Sequence, residues 1–167
     1  PRRSLSSIST TWYVVAAVLV LIAVFTVAGP EARFASATNL QAIGRNSAGL
    51  MLLGIGLAFV LGAGHIDLSV GANLVLSSVV SAKTVLAVTG GSAAAAAGDY
   101  SRTGTAVVVG VAAGAASGML LGLLNGVLVT RLRINSFVVT LGTMGVATGL
   151  AQVISGGANV PYLPATL

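Results

Sequence analysis

Two apolar runs without a charged side chain meet at a single carboxylate. Residues 46–64 hold no Lys, Arg, Asp or Glu over 19 positions and residues 68–82 none over another 15, while Asp67, one of only three acidic residues, stands between them. A helix rises about 1.5 Å per residue, so roughly 20 apolar residues cross the hydrocarbon core of a bilayer. Runs of this length are candidate spans, and Asp67 marks a junction between two of them.

The rest of the composition agrees. Hydrophobic residues make up 56% of the chain and charged residues 7%, with a mean hydropathy of +1.01. A water-facing surface needs about a quarter of its residues charged, so a soluble globular domain is excluded. The 22 glycines lie within apolar runs that show no strand-like alternation, which disfavours an outer-membrane barrel. The fold class is all-α, a polytopic transmembrane helical bundle in the lipid bilayer. The formal net charge of +5 does not point to nucleic acid, because the basic residues are scattered and form no patch. Without cysteine there is no disulfide or thiol chemistry, and nothing suggests a metal site.

About five spans follow from the pattern: 12–28, 42–62, 69–88, 105–130 and 136–154. The first follows Arg2 and Arg3; a cleaved signal peptide ending near Ala35-Ser36-Ala37 is the rival reading of this region. Gly29-Pro30-Glu31 breaks the first helix, and Thr38-Asn39 offers an N-cap to the second. Residues 90–104 read as a low-complexity loop. Four crossings separate the Arg2/Arg3 pair from Arg131 and Arg133, so both pairs fall on one side, which the positive-inside rule makes cytoplasmic. Glu31 with Arg33 and Asp99 with Arg102 then face outward, and Lys83 can snorkel from the third span to the interface.

The fourth span carries Gly110, Gly114, Gly118, Gly122 and Gly126, one every four residues. That spacing predicts a slowly drifting stripe along which helices pack closely. In the fifth span, Ser136, Thr140 and Thr143, then Thr148, Gln152 and Ser155, recur at helical spacing. Such hydroxyls and amides either bond their own helix or glue helices together; alternatively they line a polar pathway for a hydroxylated solute.

Four stretches resemble the permease subunits of ABC importers for ribose, xylose, arabinose, galactosides and related monosaccharides. They are Phe34-Ala35-Ser36-Ala37-Thr38-Asn39-Leu40; Gly64-His65-Ile66-Asp67-Leu68-Ser69-Val70-Gly71; Leu124-Asn125-Gly126-Val127-Leu128-Val129; and Ile134-Asn135-Ser136-Phe137-Val138-Val139-Thr140-Leu141-Gly142-Thr143-Met144, continuing to Gly149-Leu150 and Ser155-Gly156-Gly157. The Ile66-to-Gly71 hexapeptide is the most specific. His65 stands where the family usually has a second glycine, and family members run to roughly twice this length, so the chain is expected to be the N-terminal part of one permease domain.

The resemblance implies a multi-pass protein of the bacterial cytoplasmic membrane and a second permease subunit, here a homodimer. An ABC ATPase subunit would bind and hydrolyse ATP, and an extracytoplasmic sugar-binding protein would deliver the solute. The permease itself would be no enzyme and carry no cofactor or catalytic residue. His65, Ile66, Asp67, Leu68, Ser69 and Gly71 would form a gate or helix-cap motif, in which Asp67 or Ser69 accepts from the first-turn N–H groups of the third span. Asn125, Ser136, Thr140, Thr143, Thr148 and Gln152 would line the path. Within transport, a permease for branched-chain amino acids or nucleosides is the nearest alternative. A proton-coupled carrier is less well served, since only His65 and Asp67 could relay protons. An intramembrane serine protease built on Ser117 and His65 lacks the glycine turn its nucleophile needs.

Overall fold

The computed structural model describes residues 5–28, 34–91, 97, 102–160 and 163, with side chains from residue 11. Arg2 and Arg3, the 29–31 break with Arg33, Asp99 and most of the low-complexity loop lie outside the described residues. Five helices are long and apolar enough to cross a membrane: α1 (Leu5–Ala28), α2 (Ala37–Gly62), α3 (Val70–Val88), α4 (Thr103–Thr130) and α5 (Ser136–Ser155). These are the five predicted spans, extended by a turn or two at some ends. No strand occurs among the described residues.

The chain divides within α2 into two compact units, Pro1–Gly54 and Ile55–Leu167. In the first, the rings of Phe25 and Phe34 stack with centroids 5.7 Å apart. Here α2 begins five residues before its predicted start at Ala42, and Thr38-Asn39 is not its cap. Ser36 takes that role, its Oγ accepting from the Asn39 N–H at 3.2 Å. Asn39 reaches back with its own amide to the Phe34 carbonyl at 2.7 Å, so its side chain is committed to the preceding turn. The first bond satisfies one of the orphan N–H groups at the helix start, and the second ties the first turn of α2 to the residues before it.

In the second unit α3 is central, packing most extensively on α4 and also on α5. Leu76, Leu121, Ala147 and Ala151 form its core, with Ala72, Val79 and Val80 against them. Large apolar residues such as Val108, Met119 and Val153 point outward, while Ser69, Asn125, Thr140 and Thr143 are buried. Bulk outside and small or polar groups between helices is the distribution expected where lipid is the solvent.

The α3–α4 contact explains the glycines only in part. A Cβ on Gly110 would collide with Val85 Cγ2; on Gly114 it would lie 2.9 Å from the Ser77 carbonyl oxygen, and on Gly118 2.9 Å from Ser77 Oγ. Ser77 and Ser81 are thus the small partners across the interface. At Gly122 and Gly126 a Cβ would meet nothing within 4 Å. The reason is helical: a four-residue repeat drifts about 40° per step, so Gly126 points roughly 160° away from Gly110. The buried line runs instead through Ala106, Gly110, Gly114, Leu121 and Asn125, using a seven-residue step to stay on the α3 side.

Helix ends are set locally. Gly64 (φ 80°) and Gly156 (φ 74°) take the left-handed conformation, with His65 N–H bonding Val60 O at 3.1 Å and Gly157 N–H bonding Gln152 O at 2.8 Å. Both are helix stops of the kind glycine makes easily. After α4 the same backbone region is occupied by Arg133 (φ 55°).

Candidate functional site

The connection between α2 and α3, residues 63–69, is short and non-helical, so its backbone groups need partners from elsewhere. The first turn of α5 supplies them. Ser136 Oγ accepts from the Ile66 N–H at 3.2 Å, and the single Thr140 hydroxyl proton is shared between Ser136 O at 2.8 Å and, more weakly, the Ile66 carbonyl at 3.3 Å. Residues i and i+4 lie on one helix face, so together they clamp both backbone polar groups of one residue. Asn135 caps α5, its Oδ1 accepting from the Phe137 N–H at 2.9 Å, which fixes the turn that carries Ser136.

The other side of the connection is held by α4. Asp67 Oδ1 accepts from the Ser69 backbone N–H at 2.7 Å and from the Ser69 hydroxyl at 2.6 Å. With its one proton given to the carboxylate, Ser69 Oγ accepts from Asn125 Nδ2 at 2.9 Å. This directional chain runs Asn125 to Ser69 to Asp67, and Ser69 is 1% exposed. The helix-cap reading of the motif is corrected here. Ser69 is the N-cap residue of α3 but makes no side-chain capping bond: its backbone is right-handed (φ −82°, ψ −11°) where a cap is extended, and its hydroxyl oxygen accepts from Asn125. Asp67 orders the residue ahead of the helix and leaves the first-turn N–H groups alone.

His65 is half-buried and its backbone is ordinary; the left-handed turn falls on Gly64, so the position of His65 does not demand glycine on conformational grounds. A Cβ at Gly71 would meet nothing within 4 Å.

The proposed lining residues separate into two places. A cleft of about 300 Å³ is bounded by Phe59, His65, Asp67, Asn125, Ser136 and Thr140, with Gly122 and Gly126 in its wall. A second, of about 570 Å³, includes Ser78, Thr148, Gln152 and Asn159. Thr143 is in neither; it is buried and bonds Val139 O at 3.1 Å. Thr148 likewise donates to its own helix, at Met144 O, 2.8 Å away. Sequence reasoning passed over Phe59, which faces the Asp67 cleft, and Asn73, whose Nδ2 donates to Gly118 O at 3.2 Å. Asn73, Ser77 and Ser81 recur every four residues on α3 as the glycines do on α4, and that matching repeat was the available signal.

A family model described as "Branched-chain amino acid transport system / permease component" matches residues 39–162. The chain belongs to this permease family. Among its curated relatives, the L-arabinose ABC transporter permease protein AraH of Azospirillum brasilense is 35% identical over 83% of this chain and 36% of its own length. The D-allose transport system permease protein AlsC of Escherichia coli (strain K12) is 36% identical over 84% of this chain and 38% of its own. The Autoinducer 2 import system permease protein LsrC of Yersinia pestis is 36% identical over 71% and 29% respectively. The chain therefore spans little more than a third of the length of the first two. No solved structure matches it. Together with the five spanning helices, membership of the family makes this a multi-pass membrane protein.

Proposed function

We propose that the chain belongs to a permease subunit of an ATP-driven importer that carries a monosaccharide across the bacterial cytoplasmic membrane. The similarity to permeases named for L-arabinose and D-allose carries this reading. The site is compatible with it. The Asp67 cleft has a carboxylate, an amide and two hydroxyls among its lining residues, set in a mainly apolar wall, and no Lys or Arg that would call for an anionic solute.

In this reading the 65–69 connection is the moving part of the inner gate. It is tied to α4 by one side-chain bond and to α5 by two, so a shift of either helix is passed to it directly. An ATPase subunit on the cytoplasmic side hydrolyses ATP and drives that shift; a second permease subunit completes the path, and an extracytoplasmic binding protein delivers the sugar. Gln152 and Thr148 belong to the outer approach.

The family description favours a second reading, import of a branched-chain amino acid. A zwitterion brings an ammonium and a carboxylate; the Asp67 cleft has a carboxylate to pair the first but no Lys or Arg to pair the second. Uptake by cells expressing the complete system separates ATP drive from proton coupling. ATP depletion should abolish uptake and an uncoupler at constant ATP should spare it; the reverse result would make this a secondary transporter.

Orientation is tested separately. Reporter fusions near the N-terminus and at Arg133 should both report the cytoplasm. Opposite sides would mean that one helix between them does not cross, with α3, which carries Lys83, the first suspect.

A further inference from the structure

The two attachments of the 65–69 connection differ in kind. Toward α4, Asn125 Nδ2 donates to Ser69 Oγ at 2.9 Å and Ser69 donates to Asp67 Oδ1 at 2.6 Å. Ser69 is 1% exposed and Asn125 6%, and the other polar atom of this amide, Asn125 Oδ1, is buried without a hydrogen-bond partner. Parting Ser69 from Asn125 would leave the whole buried amide unpaired, and a buried polar group without a partner carries its full desolvation penalty. This attachment has no alternative partner to fall back on.

α4 is in turn fastened to α3. Asn73 Nδ2 donates to Gly118 O at 3.2 Å, the hydroxyl oxygens of Ser77 and Ser117 lie 3.4 Å apart, and the backbones approach so closely that a Cβ at Gly114 would stand 2.9 Å from Ser77 O. Close-packed contacts of this kind transmit displacement and resist sliding. α3, α4 and the 65–69 connection therefore behave as one body.

Toward α5 the bonds are of another sort. Ile66 N–H reaches Ser136 Oγ at 3.2 Å and the Ile66 carbonyl lies 3.3 Å from Thr140 Oγ1, at or beyond the long end of ordinary hydrogen bonds. Thr140 has a nearer acceptor on its own helix, Ser136 O at 2.8 Å, which it keeps when Ile66 moves away. The first turn of α5 also stays capped without Ile66, because Asn135 Oδ1 accepts from the Phe137 N–H. Among α3, α4 and α5, the α4–α5 pair makes the least extensive contact. Ala147 and Ala151, the α5 members of the core, lie about three and four turns beyond Ser136, so the start of the helix can swing about them while the core stays packed.

We infer that the connection travels with α3 and α4, and that the hydroxyl clasp between Ile66 and the first turn of α5 is the contact that parts and re-forms in the transport cycle. The inference rests on the reading of the connection as the inner gate and deepens it by naming which attachment opens; it does not depend on which solute is carried.

The chain contains no cysteine, so thiols can be introduced in pairs. Ile66→Cys with Ser136→Cys spans the clasp, and Ser77→Cys with Ser117→Cys spans α3 and α4. Each pair is placed in an otherwise cysteine-free complete transporter, with its ATPase and binding protein, and bridged by a short, reducible bifunctional thiol reagent. The rate of bridging is compared between the nucleotide-free and the ATP-vanadate-trapped states, and ATP-driven uptake of L-arabinose and D-allose is read before bridging, after it and after reduction. The clasp pair should bridge faster in one state than in the other, and the α3–α4 pair equally in both. Bridging the clasp should cut uptake by at least about tenfold, as arrest of a gating step does, with recovery on reduction; bridging α3 to α4 should leave most of the uptake intact. Normal uptake with the clasp bridged, equal bridging of the clasp in both states, no bridging there in either, or loss of uptake on bridging α3 to α4 would each overturn the inference. Bridging rates are read without transport, so they decide the clasp even where the cysteine pair itself slows uptake. A wild-type transporter that accumulates neither sugar overturns the monosaccharide reading instead, and leaves the bridging comparison to decide the clasp.

Discussion

Gly114→Leu should leave little folded permease in the membrane. The first carbon of any side chain at this position lies 2.9 Å from the Ser77 carbonyl oxygen and 3.0 Å from Ser81 Cβ. The first of these is backbone, so no rotamer change relieves it. The α3–α4 contact is the most extensive in its unit, and forcing it apart costs at least about 3 kcal/mol, the upper end of overpacking effects. Val108→Leu is the control. Val108 sits on the same helix, 69% exposed, and an added methylene there should change nothing measurable. Folded yield after detergent extraction, read by size-exclusion chromatography of a fluorescent fusion, checks both. Equal yields would mean that α3 and α4 do not pack through this face.

The second large effect is expected at Asp67, and it should depend on which atom is kept. Asp67→Ala removes the acceptor of two short hydrogen bonds from Ser69 and frees the Ser69 proton, so the bond from Asn125 loses its fixed direction. Removing a partner from charged hydrogen bonds costs about 2 kcal/mol or more in a half-buried setting. Asp67→Asn retains an oxygen in the same place and should lose only the charge assistance, about 1 kcal/mol. Transport by the alanine variant should fall severely, and that of the asparagine variant modestly. If asparagine is as inactive as alanine at normal expression, the negative charge acts directly on solute, proton or partner, and ordering of Ser69 is not its main task.

The spans were legible because they follow from one-dimensional properties, length and absence of charge, that a bilayer reads directly. Where α2 begins was less so. Ser36, Thr38 and Asn39 are all capable caps, and the choice is made by Asn39 reaching back to Phe34. The glycine repeat signalled close packing, yet its spacing alone could not show that the helix turns its last two members away from α3. Similarly, Asp67 was conspicuous as a charge between spans, but its bonds to Ser69 continue to Asn125, a residue 58 positions away on another helix, which no local pattern reveals. Asn125, Ser136 and Thr140 were singled out as candidate lining of the path. The structure shows what periodicity cannot, that their hydrogen bonds hold the 65–69 connection. Partner identity is a property of the packed bundle.

The most direct measurement is solute choice by the complete transporter. ATP-loaded proteoliposomes containing the permease, its ATPase and its binding protein are offered labelled L-arabinose, D-allose and leucine in separate reactions. A monosaccharide permease accumulates at least one of the sugars in an ATP-dependent manner and leaves leucine at the level of empty liposomes. Accumulation of leucine without either sugar would contradict the assignment and place this chain with the branched-chain amino acid importers for which its family is described.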